Sequence, residues 1–361
     1  MFAATGRGVF AAVIVAGLSA LALAPACAQP VAGTAETLAR LAIELPASVI
    51  ATSAVRGPLE QLGREKCDQD AILNLAKALE AAGYRREAAV AQVNFSSQCG
   101  GYAPALRRAV NILLKLSDFT TAENVASNLI KLEPYGDNGY FLRALARDGN
   151  RSFKSAIDDY ITAIELFGNK DRISSVSYYN MARDYEKLGQ FCDAMLAIAR
   201  WVALDPSRHD TSQTRAIIAD YAAKGGCAAA TSGGSETFPL ARRSGVLTVP
   251  VTINHTSATM VLDTGASFVV LKESFARKAG IEIDESRSIH VLTANGVAEG
   301  KLGRAATIEL RSLKAGGVPV VVEADSAAAF PSDGLLGLSF LSRFDVTIDA
   351  HTIRIAPRKP R

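Results

Sequence analysis

The stretch Val261-Leu262-Asp263-Thr264-Gly265-Ala266-Ser267-Phe268-Val269-Val270-Leu271 decides how the C-terminal third of this 361-residue chain folds. Two apolar runs flank five small or polar residues, and Gly265 permits a tight backbone turn between them. An acid at the head of such a turn is held at a fixed place between two strands. A second stretch, Gly334-Leu335-Leu336-Gly337-Leu338-Ser339-Phe340-Leu341, begins 71 residues downstream of Asp263. Around both, polar and apolar residues alternate. Residues 246–254 read as a strand broken at Pro250, and 258–262 run straight into the turn. Further strands are expected at 289–292, 306–310, 318–322 and 345–349, so 244–361 predict a closed or sandwiched all-β domain.

Asp263-Thr264-Gly265-Ala266-Ser267 together with Leu335-Leu336-Gly337 resemble the retropepsin family, the half-size aspartic proteases typified by retroviral proteases. The resemblance spans 244–361. It implies an acid-protease barrel whose catalytic turn is followed by a flap hairpin and then by an apolar-apolar-Gly segment. Asp263 would be the catalytic residue. Peptide hydrolysis by that route needs two carboxylates sharing one proton across a bound water. One carboxylate takes a proton from the water, and the other hydrogen-bonds the scissile carbonyl. Asp-Thr-Gly occurs once in the chain, so the second carboxylate is expected from another copy in a C2 homodimer. By resemblance, Thr264 would hydrogen-bond across that dimer beneath the carboxylates, and Gly265 would allow close substrate approach. Ala266 and Ser267 would continue the loop; retroviral relatives carry an acid where Ser267 stands.

Thr293-Ala294-Asn295-Gly296 begins 30 residues after Asp263. Asn-Gly is a strong hairpin signal, which puts the expected flap tip at Asn295 and Gly296. Leu335, Leu336 and Gly337 are expected to pack behind the turn as structural support. Asp333, Asp345 and Asp349 are rival acids, the first suited to a turn and the others to solvated strand positions. No cofactor is implied. The four His have no ligand-like spacing to a Cys or an acid, so no metal site is expected.

Upstream, residues 66–224 are helical in pattern with a period near 34. Phe119, Phe153 and Phe191 each start a helix and are each followed three residues later by Ala (Ala122, Ala156, Ala194). The spacings are 34 and 38 residues, and Pro134 and Pro206 each lie 15 residues past a Phe. Gly83-Tyr84 begins a looser first copy. This pattern resembles the tetratricopeptide repeat family, which implies stacked helical hairpins with a concave protein-binding surface. Gly at the turn is missing from the second and third copies. Residues 225–243 are small, polar and turn-rich and read as a linker.

Residues 1–28 hold Arg7, an apolar run from Val9 to Leu23, then Ala26-Cys27-Ala28. That is a charged start, a short apolar region and a small-x-small site, as in a secretory signal peptide cleaved before Gln29. Residues 29–65, interrupted by Pro46 and Pro58, read as a leader or as a cap on the repeats. Loss of Arg7 takes the formal charge from +3 to +2 (3 − 1), too near neutral to argue for nucleic acid. Cys67, Cys99, Cys192 and Cys227 remain, in a compartment where disulfides persist. Of three possible pairings we expect Cys67–Cys99 and Cys192–Cys227, which close loops of 32 and 35 residue steps, each near one repeat.

These readings converge on a periplasmic or secreted aspartic endopeptidase. It would work as a homodimer, with helical repeats that recruit a protein substrate or partner. The alternative is a catalytically inactive, protease-like scaffold of the cell envelope. In a variant of the first reading, the repeats inhibit the protease domain until the linker is cut.

Overall fold

The computed structural model describes residues 32–169, 173–227, 231–240, 246–293, 296–326, 328 and 332–357. The expected signal segment lies outside them. Helices come first: α1 (Ala32–Leu41), α2 (Ala47–Ile50), α3 (Ser53–Arg64), α4 (Gln69–Ala81), α5 (Arg85–Gln98), α6 (Ala103–Lys115), α7 (Phe119–Leu132), α8 (Asp137–Gly149), α9 (Phe153–Leu166), α10 (Ser175–Lys187), α11 (Phe191–Leu204), α12 (Pro206–His209) and α13 (Ser212–Gly225).

The second helices of three hairpins start at Phe119, Phe153 and Phe191, as the repeat predicts. Ala122, Ala156 and Ala194 are fully buried, because only a small side chain lets neighbouring helices approach closely there. The four extra residues before Phe191 fall in the connection after α9, so the helices keep their lengths. Each first helix ends the same way. Tyr84 N donates to Leu79 O, Asp118 N to Leu113 O, Ser152 N to Arg147 O and Gln190 N to Tyr185 O. That closure needs a left-handed residue one place earlier. Gly83 and Gly189 supply it at φ 89° and 72°, whereas Ser117 and Arg151 are forced into it at φ 57° and 62°.

The segment 29–65 is helical where described. Leu38, Leu41, Leu59 and Leu62 from α1 and α3 join the core of α4–α7. Pro58, expected to break this segment, lies inside α3. It removes one backbone hydrogen bond, which the full burial of Leu59 and Leu62 beside it offsets. Cys67 is joined to Cys99 and Cys192 to Cys227. In the chain-entropy account each such loop stabilises by about 3–4 kcal/mol.

The β domain contains β1 (Thr231–Ser232), β2 (Glu236–Pro239), β3 (Thr248–Ile253), β4 (Thr256–Leu262), β5 (Val269–Lys272), α14 (Glu273–Lys278), β6 (Glu282–Thr293), β7 (Gly296–Leu310), β8 (Leu313–Glu323), β9 (Gly334–Leu336), α15 (Leu338–Leu341), β10 (Phe344–Ile348) and β11 (Thr352–Pro357). The main sheet runs β1-β8-β5-β9-β4-β3-β7-β6, and a β7–β8 pairing closes it into a barrel. β10, β11 and β2 form a second, three-stranded sheet. The barrel core includes Val249, Val251, Met260, Leu262, Val269, Leu271 and Phe340.

Two expectations need correction. The stretch read as a linker supplies strands: β1 pairs with β8 and β2 with β11, and Phe238 is 2% exposed in the barrel core. One buried aromatic and six ladder positions outweigh its small, polar composition. Nor does Pro250 break β3. Leu262 N donates to Leu247 O, which puts the ladder bonds to β4 at odd-numbered residues of β3. The nitrogen of Pro250 therefore faces the opposite side, where β7 pairs only with Thr252 and Ile253.

Ser117→Gly and Arg151→Gly should each stabilise the helical region by about 0.5–1 kcal/mol, since relief of a left-handed residue exceeds glycine's entropy cost. Thermal unfolding followed by circular dichroism should show a midpoint higher by about 1–4 °C for each.

Candidate active site

The turn at Asp263 is built by three strands. β4 delivers Leu262 and β5 leaves from Val269, and β9 lies between them. Met260–Leu262 run parallel to Gly334–Leu336, while Val270 and Leu271 pair antiparallel with Leu335 and Gly334. β9 and α15 then hold the turn through backbone groups. Asp263 N donates to Leu336 O at 3.1 Å, Leu338 N donates to Ala266 O at 2.8 Å, and Val269 N donates to Ser339 Oγ at 2.8 Å. A Cβ on Gly337 would lie inside contact distance of Phe268 O and 2.6 Å from Ala266 O. Only glycine leaves room for the turn to close on this segment. Buried Arg343 fixes α15 by donating to Ser339 O and to the Gly316 and Gly317 carbonyls. Burial pulls its guanidinium down to about 10, opposed by Asp193.

Asp263 is half-buried, and its Oδ1 accepts the Gly265 N–H at 2.8 Å. Thr264 and Gly265 are exposed at the tip, and Ala266 and Ser267 are half-buried. Among the described residues no acid is hydrogen-bonded to Asp263. Asp333 is engaged by Thr259 N, Asp349 by His351 N and Thr352 N, and Asp345 is exposed on β10. Glu323, an acid the pattern did not flag, is 2% exposed and pushed up by burial. It pairs in register with Lys272, at the end of β5 away from the turn.

Leu335, Leu336 and Gly337 do not act as one unit. Leu336 is fully buried in the barrel, but its neighbour Leu335 faces the other side of the sheet, where it packs with the helices. Alternation along a strand forces that division, so Leu335 does not support the turn from behind. Ser339 does, a role that its place in the downstream stretch did not reveal.

β6 and β7 form the expected hairpin. Thr293 pairs with Gly296, which has φ 109°, and Thr293 Oγ1 donates to Gly296 O. Asn295 lies outside the described residues. Residues 296–299 pair with β6 alone, so this part of the hairpin stands beyond the barrel wall.

One face of this sheet meets the helices. Phe268, Val270, Ile289, Val291, Leu302 and Val321 share a core with Tyr160, Ile161, Ile164, Tyr178, Met181 and Ala197. The Arg200 guanidinium lies 4.2 Å from the Phe268 ring centroid. Arg287 Nε on β6 donates to Asp158 Oδ1 at 2.9 Å, and Arg304 Nη2 on β7 donates to Asp193 Oδ2 at 2.8 Å. Burial pushes the Asp158 carboxyl up, against the pull of Arg287. His290 N donates to Thr162 Oγ1 at 3.3 Å, and the His290 ring lies beside Tyr140. Nothing in the periodicity of the chain singles out these partners, because each pair joins residues more than 100 positions apart.

Residues 249–343 match the family model described as gag-polyprotein putative aspartyl protease. No curated protein matches the chain. Among solved structures, a retropepsin-like aspartic protease from Rickettsia conorii is 20% identical with a TM-score of 0.28, covering 35% of this chain and 92% of that one. The retroviral protease-like domain of a Leishmania major protein is 21% identical with a TM-score of 0.22, covering 31% and 82%. A thermophilic tetratricopeptide-repeat protein of Thermus thermophilus is 15% identical with a TM-score of 0.34, covering 52% and 93%. The family match falls within the β domain, and the helical region keeps the stacked hairpins that its repeat predicts.

Gly337→Ala should unseat the turn, because the added methyl meets backbone oxygens that cannot move aside. Overpacking of this kind costs about 1–3 kcal/mol or more. Ser339→Ala should cost only about 1 kcal/mol for the lost hydrogen bond. Chemical denaturation of both variants tests that ordering.

Proposed function

We infer that this chain is an exported aspartic endopeptidase that hydrolyses peptide bonds through a water held by two copies of Asp263, one from each subunit of a homodimer. The observation that carries the reading is the turn itself. A single Asp is fixed at an open tip, its carboxylate by the Gly265 N–H and its own backbone N–H by Leu336 O, and no second acid of the described chain reaches it. One carboxylate cannot act as acid and base at once. Two brought together on a twofold axis can, because like charges that close cannot both ionise cheaply and one proton is shared. Exposed Thr264 and Gly265 leave the tip free for that meeting.

Export is supported by the two disulfides in the helical region, since such bonds persist in oxidising compartments. The stacked hairpins offer a surface for a protein substrate or an envelope partner.

Asp263→Asn should reduce cleavage of a denatured protein to background while leaving circular dichroism unchanged. Cleavage retained in that variant would count against the reading. The rate of the native chain should follow a bell-shaped pH profile with two apparent pKa values belonging to the pair. It should also rise with protein concentration through the monomer–dimer transition, which sedimentation locates. A strictly monomeric, active protein would rule out the shared dyad.

A further inference from the structure

We propose that the helical region closes the substrate face beside Asp263 in the free chain, so that the full-length protein is a latent peptidase whose repeats must shift to admit a peptide. This rests on the aspartic-peptidase reading above. On that reading, with the hairpin serving as the flap that the resemblance implies, a peptide at Asp263 would lie between the turn and the β6/β7 hairpin. Its side chains would then meet Phe268, Val270 and Leu335 beside the turn and Ile289 and Val291 on the hairpin. Those are the residues packed against α9–α11, with Arg200 laid over Phe268.

The hairpin is held along its length. Arg287 is bound to Asp158 toward its base, and the His290 N–H is bound to Thr162 midway. Nearer the tip, Val297 packs with Tyr140 and Leu166. A hairpin pinned at three levels cannot lift to pass a substrate and close behind it. The turn tip is treated differently: Thr264 and Gly265 stay exposed. The helices therefore close the face that would bind peptide and leave open the tip at which two copies would meet.

The test uses the full chain and two readouts, hydrogen exchange at 286–293 and cleavage of casein. Four proteins are compared: native, Asp158→Arg, Arg287→Asp, and the double swap that restores an ion pair. Thr162→Val, which removes only the acceptor of the His290 N–H, guards against misfolding of the charge variants. Each single swap should speed exchange of the hairpin amides and raise kcat/KM by about tenfold or more, and the double swap should return both toward native values. Tenfold corresponds to about 1.4 kcal/mol. Equal exchange across the series would mean that the seam does not hold the hairpin, which overturns the proposal. Faster exchange with unchanged, measurable cleavage would overturn it too, by showing that closure does not limit access. No cleavage in any variant while exchange reports an open hairpin would remove the peptidase reading itself, and the latency with it.

Discussion

The structure of the β domain depends on one close approach, the seating of the Asp263 turn on the segment from Leu336 to Ser339. Three backbone groups of the turn region find partners there, at Leu336 O, Leu338 N and Ser339 Oγ. The approach is possible because Gly337 has no side chain to meet Ala266 O and Phe268 O. Without it β9 could not lie between β4 and β5, and the strands flanking the turn would lose the ladder that joins them. A buried backbone group left unpaired costs about 1–3 kcal/mol, so the three bonds together fix the position of the carboxylate more firmly than any side chain in the turn.

The strand that leaves the turn, β5, also joins the two halves of the chain. Along β5, Val269 and Leu271 enter the barrel while Val270 turns to the helices, with Phe268 just before it. Six apolar side chains on that face are 8% exposed or less. At about 1.5–3 kcal/mol for a fully buried apolar side chain, the face accounts for roughly 9–18 kcal/mol, an upper bound because part of that burial comes from neighbours in the sheet. Partly exposed ion pairs such as Arg304–Asp193 contribute at most about 1 kcal/mol. Apolar burial therefore determines whether the halves associate, and the charged pairs determine their register.

Much of this was legible in the sequence, for physical reasons that can be named. The helical hairpins were readable because Phe119, Phe153 and Phe191 repeat a local packing requirement at a nearly fixed period. The turn was readable because glycine and an acid between two apolar strands admit few conformations. Segment 231–240 escaped because pairing with distant strands, rather than its own composition, makes it extended. Leu335 was misread because a run of apolar residues does not say which of two cores each member enters. The seam was invisible for a deeper reason: Arg287 meets Asp158 across 129 positions, and no local rule connects them.

On the peptidase reading, stability and activity are set by different residues, with consequences of opposite sign. The disulfides and the stacked apolar helices stabilise the repeats without touching Asp263. On the latent-peptidase reading, strengthening the contact between α9 and β6 makes the chain more stable and less able to take up a peptide. A tighter seam would suit a scaffold; a chain that has to open is better served by a contact of modest strength.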